Sequence, residues 1–202
     1  MLILVLILSV GLATRNLHRF LAVSAPAPGG LLVLEGWASD AAFEAAINEF
    51  HSHHYDRLVV TGGPLEKGAP LSEYKTFAEL SAATLYKMGL STNEVRAVPA
   101  PRVRHDRTYA AALALRDWLK DNGPPPRRIN LMTVGPHARR SRLLFEKALG
   151  GRIIVGVVAL EPGDYDSEHW WRSSAGVRGT IGEALAYAYT VLFFHPRRES
   201  GE

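Results

Sequence analysis

The sequence predicts an α/β fold: a parallel sheet of about five strands between two helical layers, preceded by an N-terminal hydrophobic helix. Three observations predict it. Short apolar runs alternate with helix-period segments from Leu31 to Val158. The links between them are short and rich in Gly, Pro, Asn and Ser. The runs are mostly apolar, as in strands buried on both faces, and lack a regular alternation with polar residues. Strand–helix alternation on short links implies right-handed crossovers and a three-layer domain.

Bulk properties fit one ordinary domain with an appendage. The chain has 202 residues, 47% of them hydrophobic, which is enough for a real core. Its formal charge of +3 is mild, and no basic stripe with interleaved aromatics is present, so nucleic acid is not an expected partner. With no cysteine, disulfides, thiolate metal sites and thiol nucleophiles are excluded.

Leu2 to Ala13 is apolar and uncharged but shorter than the roughly 20 residues of a spanning helix. Residues 1–24 are therefore read as an uncleaved membrane anchor, the other reading being a buried amphipathic helix. Residues 25–30, Ala-Pro-Ala-Pro-Gly-Gly, read as a linker, 31–196 as the α/β domain and 197–202 as a tail. Within the domain, Leu31 to Glu35 is the first strand. Ser39 caps a helix whose apolar face is Phe43, Ala46, Ile47 and Phe50, with His51, His53 and His54 at its end. These histidines suit a helix C-terminus better than a metal site, because no carboxylate stands at ligand spacing.

Arg57 to Thr61 is the second strand. Ser72 is expected to cap the next helix, which buries Phe77, Leu80, Thr84, Leu85 and Met88 and stops at Gly89. Val95 to Val98 is the third strand. Asp106 or Thr108 caps a helix through Leu113, Leu115, Trp118 and Leu119. Strand Ile129–Val134, helix His137–Leu149 and strand Ile153–Val158 follow. Beyond Leu160 the alternation stops. Val177 to Phe194 is a strongly apolar helix containing Glu183, either packed on the sheet or lying in a membrane interface with Tyr187 and Tyr189 at headgroup level.

The chemistry centres on the stretch from Ile129 to Leu144, where a buried strand breaks at Gly135-Pro136-His137 into a helix opening with Arg139, Arg140 and Arg142. A helix start offers unpaired N–H groups and partial positive charge, so arginines there make an anion trap. Arg140 stands three residues from His137, on the same helix face. In an open parallel sheet, ligands bind beyond the carboxyl ends of the strands. That rule also gathers Glu35, Gly36 and Trp37; Thr61, Gly62 and Gly63; and Thr108, with Gly62-Gly63 open to close backbone approach. Glu73 and Glu35 are the carboxylates that could orient His137 or act as acid or base. Phosphate-loop, dinucleotide, nucleophile-elbow and zinc-protease motifs are all missing.

In order along the chain, Thr61-Gly62-Gly63, Ser72-Glu73, Gly89, Arg107-Thr108 with Ala111, and Thr133-x-x-x-His137-x-x-Arg140-Ser141 resemble the ElyC/SanA/YdcF family of bacterial proteins. The resemblance covers Leu31 to Tyr189. It departs at Glu35-Gly36-Trp37, where the family has a glycine-rich turn, at Thr61 in place of serine, and at Arg107 in place of asparagine. It implies a Rossmann-like domain, often tethered to the inner membrane by an N-terminal helix and envelope-facing. It also implies a link to envelope biogenesis, peptidoglycan or lipid-linked precursors, and one cytoplasmic member is reported to bind S-adenosylmethionine.

Three functions are therefore expected. The first is a membrane-tethered protein acting on a phosphate-bearing envelope precursor, with His137 and Glu73 as acid and base and Glu35, Gly36, Thr61, Gly62, Gly63, Thr108, Arg139 and Arg140 as ligand contacts. The second is a non-catalytic S-adenosylmethionine or nucleotide module, with Glu35 accepting ribose hydroxyls. The third is a structural envelope factor. The partners expected are a small anionic or nucleotide-like ligand and the membrane; no cofactor or metal is assigned.

Overall fold

The computed structural model describes Gly11 and residues 15–196. Five parallel strands, β1 (Gly30–Glu35), β2 (Tyr55–Gly62), β3 (Val95–Pro99), β4 (Arg128–Val134) and β5 (Ile154–Leu160), form one sheet in the order β3-β2-β1-β4-β5. This is a Rossmann-like α/β arrangement. The chain winds outward from β1 to β3, then crosses back to place β4 on the other side of β1. The β1/β4 boundary is thus a topological switch point, where the connections leave in opposite directions and open a crevice.

The helices follow from the core each strand face must bury. Helices α2 (Asp40–Ser52) and α3 (Phe77–Lys87) cover one face, packing Phe43, Ala46, Ala82 and Leu85 on Leu32, Leu34, Leu58 and Val60. Helices α4 (Arg107–Asp121) and α5 (Ala138–Leu149) cover the other, packing Leu115, Leu119 and Phe145 on Val33, Val59, Ile129 and Leu131. A last helix, α6 (Ser174–Leu192), lies against α5 and buries only Gly176, Thr180 and Thr190.

Several local expectations change. Ser72 does not cap α3; its hydroxyl instead accepts from the Tyr74 N–H. Thr76 is the cap, because Glu79 three residues on completes a reciprocal capping box. Ala78, Ser81, Ala82 and Leu85 face the core while Leu80 is exposed, because the small residues let the helix pack close to the sheet. Asp106 precedes α4 in the left-handed region (φ 57), and its side chain makes no capping hydrogen bond. A short 3-10 turn, Gly135–His137, comes before α5, and the fifth strand extends to Leu160.

The N-terminal segment divides. Leu2 to Ala13, Gly11 excepted, lies outside the described residues, and among the described residues no helix is long and apolar enough to cross a membrane. Residues 15–21, placed in the anchor by the sequence, are helical (α1) and dock on the domain. Leu21 and His18 are buried, and the His18 ring lies 3.1 Å from the Tyr165 hydroxyl. Residues 25–30, expected as a linker, run against the sheet. Ala25 bridges to Val157, and the buried Asn130 amide accepts from the Ala27 N–H at 2.7 Å and donates to the Ala27 carbonyl at 2.7 Å. Gly156 permits this, since a Cβ there would stand 2.1 Å from Asn130 Oδ1 and 2.5 Å from the Ala27 nitrogen.

Asn130→Ala should therefore leave the Ala27 backbone groups unpaired in a partly buried place. The expected cost is about 1–3 kcal/mol, read as a lower midpoint of urea unfolding; a midpoint equal to wild type would show that this clasp holds nothing.

Candidate functional site

Glu35, the last residue of β1, has almost no contact with solvent (3% exposed) and stands at the switch point. Its Oε2 accepts from the Ser141 hydroxyl of α5 at 3.0 Å and lies 3.6 Å from His137 Nε2. His137, at the end of the turn after β4, presents its other nitrogen to Glu183 of α6, Nδ1 to Oε1 at 2.8 Å. Arg140, one turn along α5, forks onto the same carboxylate: Nε donates to Oε2 at 2.7 Å and Nη2 to Oε1 at 2.9 Å. Two carboxylates thus face one imidazole and one guanidinium in a compact, largely buried cluster.

The electrostatics follow from burial and pairing. Burial alone lowers the pKa of His137, but the Glu35 charge and the Glu183 hydrogen bond override it and raise the imidazole to about 9. Burial works against the Glu183 carboxylate, yet its bonds to His137 and Arg140 hold it down at about 2. Burial likewise penalises ionised Glu35, and the His137 charge with the His137 and Ser141 hydrogen bonds outweighs that, keeping its pKa below the usual value. His137 is therefore an imidazolium at neutral pH. Its Nδ1–H is directed to Glu183, so the nearby Arg140 Nη2, 2.9 Å from Nδ1, bonds Glu183 and not the ring. The two ring nitrogens face opposite carboxylates, so no common point is available where all three could bind a cation. Among the described residues no group of histidines and acids is arranged to hold a metal ion.

Around this floor, the Thr108 hydroxyl at the start of α4 lies 3.4 Å from His137 Nε2. The Trp37 indole, 45% exposed, stands edge-on to the imidazole with centroids 5.2 Å apart. Thr61 sits level with Glu35 on the neighbouring strand, its hydroxyl buried and without a hydrogen-bond partner.

The structure brings together Glu35, Thr61, Thr108, His137 and Arg140 from the sequence-derived set, and separates the others. Glu73 lies exposed in the loop before α3, where it faces Tyr74; Glu35 and Glu183 hold the positions beside His137 instead. Arg139 leaves the crevice: its Nε donates to the Phe20 carbonyl and its guanidinium stacks 4.0 Å from the Phe20 ring centroid, fastening α1. Arg142 pairs with Glu146 along α5. Gly36 and Gly62 serve helix packing, because a Cβ on either would meet the Phe77–Ala78 backbone or the Phe77 side chain at 2.8–2.9 Å. Gly63 accepts the Phe77 N–H through its carbonyl. Glu183 escaped the sequence reading of the site, although a lone carboxylate inside an apolar helix was a usable signal: burying it demands a cationic partner. The chain matches no family model, no curated protein and no solved structure.

The pairing has a signed pH dependence. The folded pKa of His137, about 9, exceeds its ordinary 6.5, so its stabilisation is complete below about pH 6.5 and is lost as pH rises through 9. For Glu183 the folded value of about 2 lies under its ordinary 4.5, so that stabilisation is complete above about pH 4.5 and is lost as pH falls toward 2. The cluster should contribute most between those limits. Unfolding free energy of the wild type should decline by roughly 3 kcal/mol on the alkaline side, and His137→Gln should flatten that limb; an equal slope in both proteins would refute the charged imidazole.

Proposed function

We propose that the β1/β4 crevice binds a phosphate-bearing or nucleotide-like ligand and that His137 acts there as a proton donor. The observation that carries this reading is a buried imidazolium held between Glu35 and Glu183 at the switch point. A group with a pKa near 9 is protonated at neutral pH, which favours the role of general acid over that of base. Donors for an anion stand close by: the Thr108 hydroxyl, and Arg140 Nη1, since the fork to Glu183 uses only Nε and Nη2. The buried, unpartnered Thr61 hydroxyl is a further group for a ligand to satisfy. Trp37 offers an aromatic edge and face at the mouth of the crevice.

The setting we propose is the inner membrane, with the apolar run Leu2 to Ala13 as tether and a lipid-linked cell-wall or polysaccharide precursor as the ligand's source. This part rests on that run and on the resemblance to the ElyC/SanA/YdcF proteins. A second reading is a non-catalytic S-adenosylmethionine or nucleotide module, or a structural envelope factor; the saturated, charge-balanced cluster favours it. In that case Glu35 is not the ribose acceptor, because Ser141 and His137 already engage its carboxylate.

Thermal-shift titration against nucleotides, S-adenosylmethionine and lipid-linked sugar diphosphates separates these readings. A ligand at about a hundred times its Kd should add about 2.7 kcal/mol of stability. With a diphosphate as the stabilising class, His137→Gln should still bind while turnover falls by about 10²–10⁴-fold. Unchanged turnover in that variant would remove His137 as proton donor, and stabilisation by S-adenosylmethionine alone would replace this reading with the second.

A further inference from the structure

We infer that the outer face of α6 is a lipid-contacting surface that lies flat on an anionic bilayer beside the N-terminal tether. A surface helix normally turns an apolar stripe inward and a polar face outward. Helix α6 does the reverse. Its only carboxylate, Glu183, faces inward to His137 and Arg140. Its outward positions, four and three residues apart, are Ile181, Leu185, Tyr189 and Leu192, followed by Phe193, with Leu185, Leu192 and Phe193 at 69%, 63% and 67% exposure. Single exposed apolar residues are ordinary, but a continuous row along a helix of about 28 Å marks a contact surface.

The chemistry of the row selects a bilayer as the occupant. Apart from the Tyr189 phenol it offers no hydrogen-bonding side chain with which a protein partner could fix a register. The one charged side chain that α6 exposes is Arg178, near the start of the helix, and Arg15 stands exposed on α1; both are cationic, which suits anionic headgroups. Continuity with the rest of the chain points the same way. Helix α1 sits beside α6, with the Phe20 and Tyr187 rings edge-to-face at 5.8 Å, and the uncharged run Leu2 to Ala13 immediately precedes α1 in sequence. The chain therefore enters the described domain on the flank that carries the outer face of α6. Because the inner side of α6 is packed on the domain, the helix would rest in the interface and not cross it. Contact here would also bring the Glu183 helix, and with it the crevice floor, close to the headgroup layer. The inference rests on the membrane association proposed above, so its test reads the two separately.

The cysteine-free sequence allows a single fluorophore to be placed in the full chain through Leu185→Cys, with Glu44→Cys on exposed α2 as the reference. Each labelled protein is mixed with vesicles of phosphatidylcholine and phosphatidylglycerol carrying brominated acyl chains. Flotation reports the tether; quenching reports α6. Co-flotation with at least a severalfold stronger quenching at position 185 than at 44 supports the inference. Co-flotation with equal, weak quenching at both overturns it and leaves the tether standing. A chain that does not float removes both. Efficient disulfide cross-linking of unlabelled Leu185→Cys into dimers on vesicles, with quenching absent, would assign the face to a second copy of the chain instead.

Discussion

The compensated charge at the carboxyl edge of the sheet is the interaction on which this architecture turns. An ionised carboxylate buried as deeply as Glu35 is tolerated only when paired and hydrogen-bonded, and Ser141 and His137 meet that demand from α5 and from the turn before it. The positive charge that His137 then carries needs a second acid, which Glu183 supplies from α6. Glu183 in turn satisfies Arg140 through a two-pronged fork. Three segments far apart in sequence are locked by one network: removing His137 leaves Glu35 without its cation, and removing Glu183 leaves Arg140 without its carboxylate.

That network changes the meaning of the arginine-rich helix start. Three arginines after a strand suggest a concentrated positive field, yet each is consumed internally: Arg139 on Phe20, Arg140 on Glu183, Arg142 on Glu146. For the ligand proposed above, what remains is narrower and more directional: one guanidinium nitrogen and the Thr108 hydroxyl beside the protonated imidazole. Recognition of this kind depends more on geometry than on long-range attraction.

The same network also explains the unusual last helix. Glu183 must face inward to complete the cluster, so the helix is rotationally fixed and its remaining apolar residues divide between the α5 contact and the outside. The N-terminal segment is held on the same flank by Arg139 and Phe20, and farther along by the Asn130 clasp over Gly156. The docked α1 and the apolar face of α6 therefore share one flank of the domain, with the charged cluster beneath α6.

The sequence by itself determined the layers and the sheet, because burial of apolar runs and helix periodicity are local patterns. It also determined that His137 and Arg140 are neighbours, since residues three apart share a helix face, and that the strand ends carrying Glu35 and Thr61 converge with them, since a parallel sheet aligns its carboxyl edges. Tertiary structure alone decided what those groups meet. Whether Glu73 or Glu183 faces His137 depends on how a loop and a distant helix pack, and no spacing encodes that. Whether Gly36 and Gly62 serve a ligand or the start of α3 depends on which backbone occupies the space above them. Local propensity is read within a few residues, whereas the pairing of buried charges is settled across the chain by the cost of leaving any one of them alone.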